Sequence, residues 1–161
     1  MKRNIVRRML LNLSFAAALA TLLPTAYGQS CSLARAAGTY ALTDTGTVVG
    51  VGPRSAVGIW TMDAAGNVTN GKGTSSLNGT IFHETFSGTY TVDPDCTGTI
   101  TVDIFDSGKL LFTVKADLAW DDNMGEVRLI FTSVVEPNGT ALTTVINGDA
   151  RKMVPYPASG Q

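Results

Sequence analysis

The sequence predicts an all-β fold, a closed eight-stranded antiparallel up-and-down barrel, with a two-sheet β-sandwich as the alternative. Three observations point there. Apolar and polar residues alternate with a period of two between turn signals, the pattern of strands with one buried face. Beyond residue 28 the chain holds 19 Thr and many Val and Ile, which suit a pleated, half-buried surface. No helical period is sustained past the N-terminal segment. Eight sequential strands joined by short turns make a meander, and closing it removes both edges.

Residues 1–28 read as a cleavable signal peptide. Lys2, Arg3, Arg7 and Arg8 form a basic start, Met9–Leu23 is an apolar run, and Pro24 ends it. Ala26 and Gly28 are the small residues of a cleavage site before Gln29. The apolar run is shorter than the roughly 20 residues that span a bilayer. Arg7-Arg8 also fits a twin-arginine signal. Cys31 lacks the upstream aliphatic residue that lipidation wants. No membrane span is expected after cleavage, so the mature chain is expected to be exported, periplasmic or secreted.

The barrel domain is expected over 29–152. Its strands read Gly38–Val49, Ser55–Asp63, Val68–Ser76, Thr80–Val92, Thr97–Phe105, Lys109–Trp120, Glu126–Val135 and Thr140–Lys152. Each boundary is a turn signal. Gly50-Val51-Gly52-Pro53 ends the first strand, Ala64-Ala65-Gly66-Asn67 joins the second to the third, and Asn78-Gly79 marks a tight hairpin. Asp93-Pro94-Asp95, Asp106-Ser107-Gly108, Asp121 to Gly125 and Pro137-Asn138-Gly139 supply the rest. The tail, 153–161, holds two Pro and no pattern, and disorder is expected there.

Alternation assigns the inner face. Tyr40, Leu42, Asp44 and Val48 share a face on the first strand, as do Ala56, Gly58, Trp60 and Met62 on the second. Phe82, Glu84, Phe86, Tyr90 and Val92 do so on the fourth, and Leu110 to Trp120, taking every second residue, on the sixth. The expected interior is therefore aromatic and aliphatic, with two acids, Asp44 and Glu84.

The whole chain carries a formal charge of −1, but four of its 12 basic residues precede residue 9. Without them, eight basic residues face 13 acidic ones, a net charge of −5. That excludes a basic nucleic-acid-binding domain. One His and two Cys exclude most protein-ligated metal and haem sites, so neither metal nor cofactor is expected. In an exported domain Cys31 and Cys96 most simply pair, closing a loop of about 65 residues; two free thiols are the alternative.

Gly88-Thr89-Tyr90-Thr91-Val92-Asp93-Pro94-Asp95-Cys96-Thr97-Gly98-Thr99, with Cys31 and Gly38-Thr39-Tyr40 before it, resembles a group of small exported bacterial proteins of uncharacterised function. In outline such proteins look like barrels of the calycin or allene-oxide-cyclase type. That resemblance implies a small antiparallel barrel and carries no activity with it. Tyr40 stands where lipocalins place the Trp of Gly-x-Trp, and no allene-oxide-cyclase active-site residue matches by motif.

Individual chemical signals are sparse. Gly66 to Lys72 nearly spells a phosphate-binding loop, but Gly73 replaces its Ser or Thr, and no helix is expected to follow. His83 lies opposite the Phe face and reads as a surface residue. Asp121, Asp122, Asn123 and Glu126 lack EF-hand spacing and also suit a hairpin turn. Glu84, between two Phe, is expected to be desolvated, which favours an acid–base or anchoring role. The bland alternatives are a bulge that turns it outward or an inward partner such as Arg128 or Arg151.

Tyr40, Trp60, Phe82, Glu84, Phe86, Tyr90 and Phe112 are the candidate lining of a pocket for a small apolar or amphipathic ligand. A cofactor-independent isomerase or cyclase, with Glu84 as acid–base and Tyr40 or Tyr90 as donor, is the second reading. A structural or surface-interaction protein with a solid core is the third. The sequence specifies no oligomeric state.

Overall fold

The structure, a computed structural model, describes residues 30–121 and 123–153. The expected signal peptide and the tail beyond Met153 lie outside those residues. One helical turn, α1 (Leu33–Ala36), precedes nine strands. These are β1 (Gly38–Val48), β2 (Gly52–Met62), β3 (Asn67–Leu77), β4 (Thr80–Tyr90), β5 (Thr97–Asp106), β6 (Lys109–Trp120), β7 (Glu126–Val135), β8 (Ala141–Leu142) and β9 (Thr144–Lys152).

Strands β1 to β7 form an antiparallel meander, and β9 closes it by pairing with β1 on one side and β7 on the other. The result is the expected closed eight-stranded up-and-down barrel, and β8 is one further short strand on β7. The eighth strand, expected to run unbroken from Thr140, is instead interrupted at Thr143, whose carbonyl accepts from the Val49 amide.

Turn chemistry explains the tight hairpins. Asn78 and Gly79 have φ of 50° and 85°, and Ser107 and Gly108 have 52° and 78°. Two consecutive positive φ values match the twist of the flanking strands. A Cβ on Gly79 or Gly108 would meet nothing, so glycine is needed there for conformation rather than space. At Gly88 the reason is space, since a Cβ would lie 2.0 Å from the Thr101 carbonyl oxygen. Register shifts within the β2–β3, β3–β4, β5–β6 and β6–β7 pairs add the local twist that bends a sheet into a barrel.

The expected inner faces of β1, β2, β4 and β6 are the observed ones. One strand start was misplaced. β2 begins at Gly52 rather than Ser55, with Pro53 at its second position opposite Thr47. Proline is tolerated at a strand start, where a missing donor costs little. The earlier start adds Arg54 to the inward-facing set, two residues before Ala56.

α1 caps one end of the barrel. Ser32 caps the helix through its side chain, which accepts from the Arg35 amide. A Cys31–Cys96 disulfide ties this segment to the β4–β5 turn, so the pairing expected from composition is the one present. Ala36, Tyr40, Met62, Val68, Met124 and Val127 are buried in this closed end. Among the described residues no helix is long and apolar enough to cross a membrane.

Candidate functional site

Four adjacent strands each send one polar side chain into the middle of the barrel: Asp44 from β1, Arg54 from β2, Ser75 from β3 and Glu84 from β4. Arg54 Nε donates to Asp44 Oδ1 at 2.9 Å, and Nη2 donates to Asp44 Oδ2 at 3.4 Å. Nη1 donates to Glu84 Oε1 at 3.2 Å, and Nη2 also reaches Glu84 Oε2 at 3.4 Å. Ser75 Oγ donates to Glu84 Oε1 at 2.6 Å. Burial alone would lower the Arg54 pKa, but the charges and hydrogen bonds of Asp44 and Glu84 outweigh it and hold it raised.

All of this is withdrawn from solvent: Asp44 and Glu84 are each 5% exposed, and the Arg54 side chain 8%. Formally the layer carries one positive and two negative charges. Buried ion pairs add little net stability, yet removing one partner strands the other's charge.

A cavity of about 50 Å³ lies against this layer. Ala56, Gly58, Gly73 and Ala116 line it, and at Gly58 and Gly73 a Cβ would meet the facing strand, 2.6 Å from the Lys72 carbonyl oxygen and 2.7 Å from that of Val57. Trp60 and Phe86 also line it, in edge-to-face contact with ring centroids 6.1 Å apart. The indole N–H of Trp60 is buried without a hydrogen-bond partner, a state that costs about 1–3 kcal/mol. Arg54 also lines a second space of about 20 Å³, among Val48, Leu77, Phe112 and Ile146.

The expected lining residues divide into groups. Trp60, Glu84 and Phe86 meet at the main cavity, and Phe112 at the smaller one. Phe82 faces inward, half-buried, and lines neither space. Tyr40 and Tyr90 belong to the closed end. The Tyr40 hydroxyl donates to the Ala36 carbonyl, and that of Tyr90 to the Asp63 carbonyl, both at 2.6 Å. Burial pushes both phenols up to about 12. Neither hydroxyl is brought to Glu84, whose bonded partners are Arg54 and Ser75.

The expected arginine partners of Glu84 are corrected. Arg128 and Arg151 have side chains 81% and 76% exposed, and both pair with Glu126 on the outer surface. Alternation held the signal, because Arg128 lies between the inward Val127 and Leu129. Arg54 was missed because Gly52 and Pro53 read as turn residues.

Other motifs find structural roles. His83 is exposed on the outer wall, its Nδ1 3.4 Å from Thr74 Oγ1. Gly66 lies in the turn before β3, and Gly71 and Lys72 lie within that strand. Asp121 Oδ1 accepts from the Gly125 and Glu126 amides, which builds the β6–β7 turn. Among the described residues no three His, Cys, Asp or Glu side chains group as metal ligands.

No family model and no curated protein matches this chain. Similar solved structures include a redesigned β-barrel, mFAP1, bound to DFHBI, with 13% identity and a TM-score of 0.51. That match covers 75% of this chain and 98% of the other. A second redesigned barrel, b11L5F_LGL, has 14% identity, coverage of 78% and 100%, and a TM-score of 0.47. A third, mFAP0 bound to DFHBI, has 13% identity, coverage of 73% and 99%, and a TM-score of 0.46. The likeness to mFAP1 is one of fold: a small closed β-barrel.

Proposed function

We propose that this protein binds one small apolar or amphipathic molecule inside its barrel, outside the cytoplasm. The observation that carries this reading is the space between the Arg54 layer and Trp60. A barrel built only for stability fills its lumen with side chains. Here a void lies inside the lumen, buried charge borders it, and the indole N–H of Trp60, a lining residue, stands unpartnered, as does that of Trp120 at the closed end. Each of these costs stability, and ligand binding gives the combination a use.

The space holds a few water molecules as it stands, far less than the roughly 300 Å³ of typical ligand pockets. The ligand is therefore small, or it displaces the half-buried rings of Phe86 and Phe131, which line the same space. mFAP1, a barrel of similar fold, was solved bound to DFHBI. The Cys31–Cys96 disulfide and the signal-like residues 1–28 support an oxidising compartment outside the cytoplasm.

Native mass spectrometry of the protein, purified from an exporting host without detergent, tests the reading. A stoichiometric extra mass that disappears on denaturation is expected. A bare protein that also fails to take up any small apolar probe saturably would point to a solid structural barrel instead.

A further inference from the structure

We infer that the lumen selects small apolar molecules with a cationic head, a primary ammonium above all, and rejects those headed by a carboxylate. This rests on the ligand-binding reading above and adds the chemistry of the ligand's polar end.

The inference starts from the charges that face the cavity. The charged residues lining it are Asp44, Arg54 and Glu84, so two carboxylates face one guanidinium. Arg128 and Arg151 lie on the outer surface, and among the described residues neither Lys nor His lines the space. With Asp44, Arg54 and Glu84 all withdrawn from solvent, a formal excess of one negative charge is poorly screened.

Hydrogen-bond capacity points the same way. A guanidinium has five N–H donors, and Arg54 already commits four of them to Asp44 and Glu84. At most one is left for an incoming anion. The carboxylates are less occupied. Together they offer about eight acceptor positions, of which the four bonds from Arg54 and the one from Ser75 use five. An ammonium head brings three donors and the missing positive charge, while a carboxylate head brings a third anion to a layer with almost no donors left. The apolar body then lies against Leu42, Phe86, Ile100 and Val102, in the same cavity. Trp60, whose indole N–H is buried without a partner, lines the same cavity.

The test compares hexylamine, 1-hexanol and hexanoate as probes of the purified protein. Binding is followed through the indole N–H resonances of Trp60 and Trp120. Roughly 0.3 M sodium chloride screens the acidic outer surface. Hexylamine is expected to bind one to one, to shift the Trp60 resonance in preference to that of Trp120, and to bind at least about tenfold more tightly than hexanoate. Glu84→Gln is expected to bring that ratio close to one. Asp44→Asn is a second variant with the same expectation, and the unmodified protein decides the matter if both fail to fold. Hexanoate binding at Trp60 as tightly as hexylamine would overturn the charge selection and leave the ligand-binding reading standing. If none of the three probes perturbs Trp60, both fall together.

Discussion

At the closed end of the barrel the phenols of Tyr40 and Tyr90 each donate to a backbone carbonyl, while the indole N–H of Trp120, beside Tyr90, is buried without a partner. The middle layer holds buried charges, Arg54 against Asp44 and Glu84, beside unfilled space. The closed end pairs phenolic and ammonium donors with backbone carbonyls. Lys152 Nζ meets the Arg35 carbonyl there at 2.6 Å, and a disulfide pins the plug. The middle layer leaves a formal charge excess beside a void. Two regions of one barrel thus differ: the first is held by hydrogen bonds to backbone and a disulfide, and the second sets buried charge beside unfilled space.

The most disruptive test of this contrast is Arg54→Ala, which strands two buried carboxylates and is expected to cost about 3–5 kcal/mol. Urea unfolding followed by tryptophan fluorescence measures it. Arg54→Met combined with Asp44→Asn and Glu84→Gln is expected to recover most of the loss. A single-variant cost below about 1 kcal/mol would mean that water reaches the layer, and the contrast would break.

At the closed end, Cys31→Ala with Cys96→Ala is expected to cost about 3–4 kcal/mol, since the bridge closes a long loop. Thermal unfolding with and without a reductant gives the same quantity. Ligand affinity in the middle layer should change little, which separates the two regions functionally.

A smaller effect, about 1–2 kcal/mol, is expected for Tyr90→Phe, which leaves the Asp63 carbonyl short of a donor. A pH dependence accompanies it. Tyr40 and Tyr90 are pushed up to about 12 in the folded protein, whereas an unfolded Tyr titrates near 10. The folded chain therefore holds protons that the unfolded chain has released. Stability is complete below about pH 10 and falls as the pH rises toward 12. Urea midpoints across that window should decline, and less steeply in Tyr90→Phe. The smallest effect is expected from His83→Ala, within about 0.5 kcal/mol by the same measurement, because His83 lies on the outer wall.

Much of the contrast was legible in the sequence, and the missing parts share a cause. Strand phase and hairpin position are local signals. A period of two placed Glu84 and Asp44 inside, and Asn78-Gly79 marked its own turn. The ion pair is not local. Arg54 joins Glu84 only because β2 begins early enough to carry it inward and β3 lies between them. Gly52-Pro53 reads as a breaker until Thr47 is seen paired with Pro53 across the strands. The helical turn α1 was missed because a four-residue helix has no period to read. The cavity depends on side chains from many strands at once, and no window of sequence contains it.

The pairing of β9 bears on how the chain reaches this fold. Its two partners, β1 and β7, come from opposite ends of the barrel's sequence, and Tyr40 lies opposite Lys152. These are the most distant contacts in the barrel and the slowest to form. The Cys31–Cys96 link needs only the first two-thirds of the chain, so it can form while the wall is still open. Until the last nine-residue strand arrives, β1 and β7 both present unpaired backbone. A chain cut before Thr144 would keep those two bare edges. Because they are complementary, such fragments would add to one another end to end rather than close on themselves.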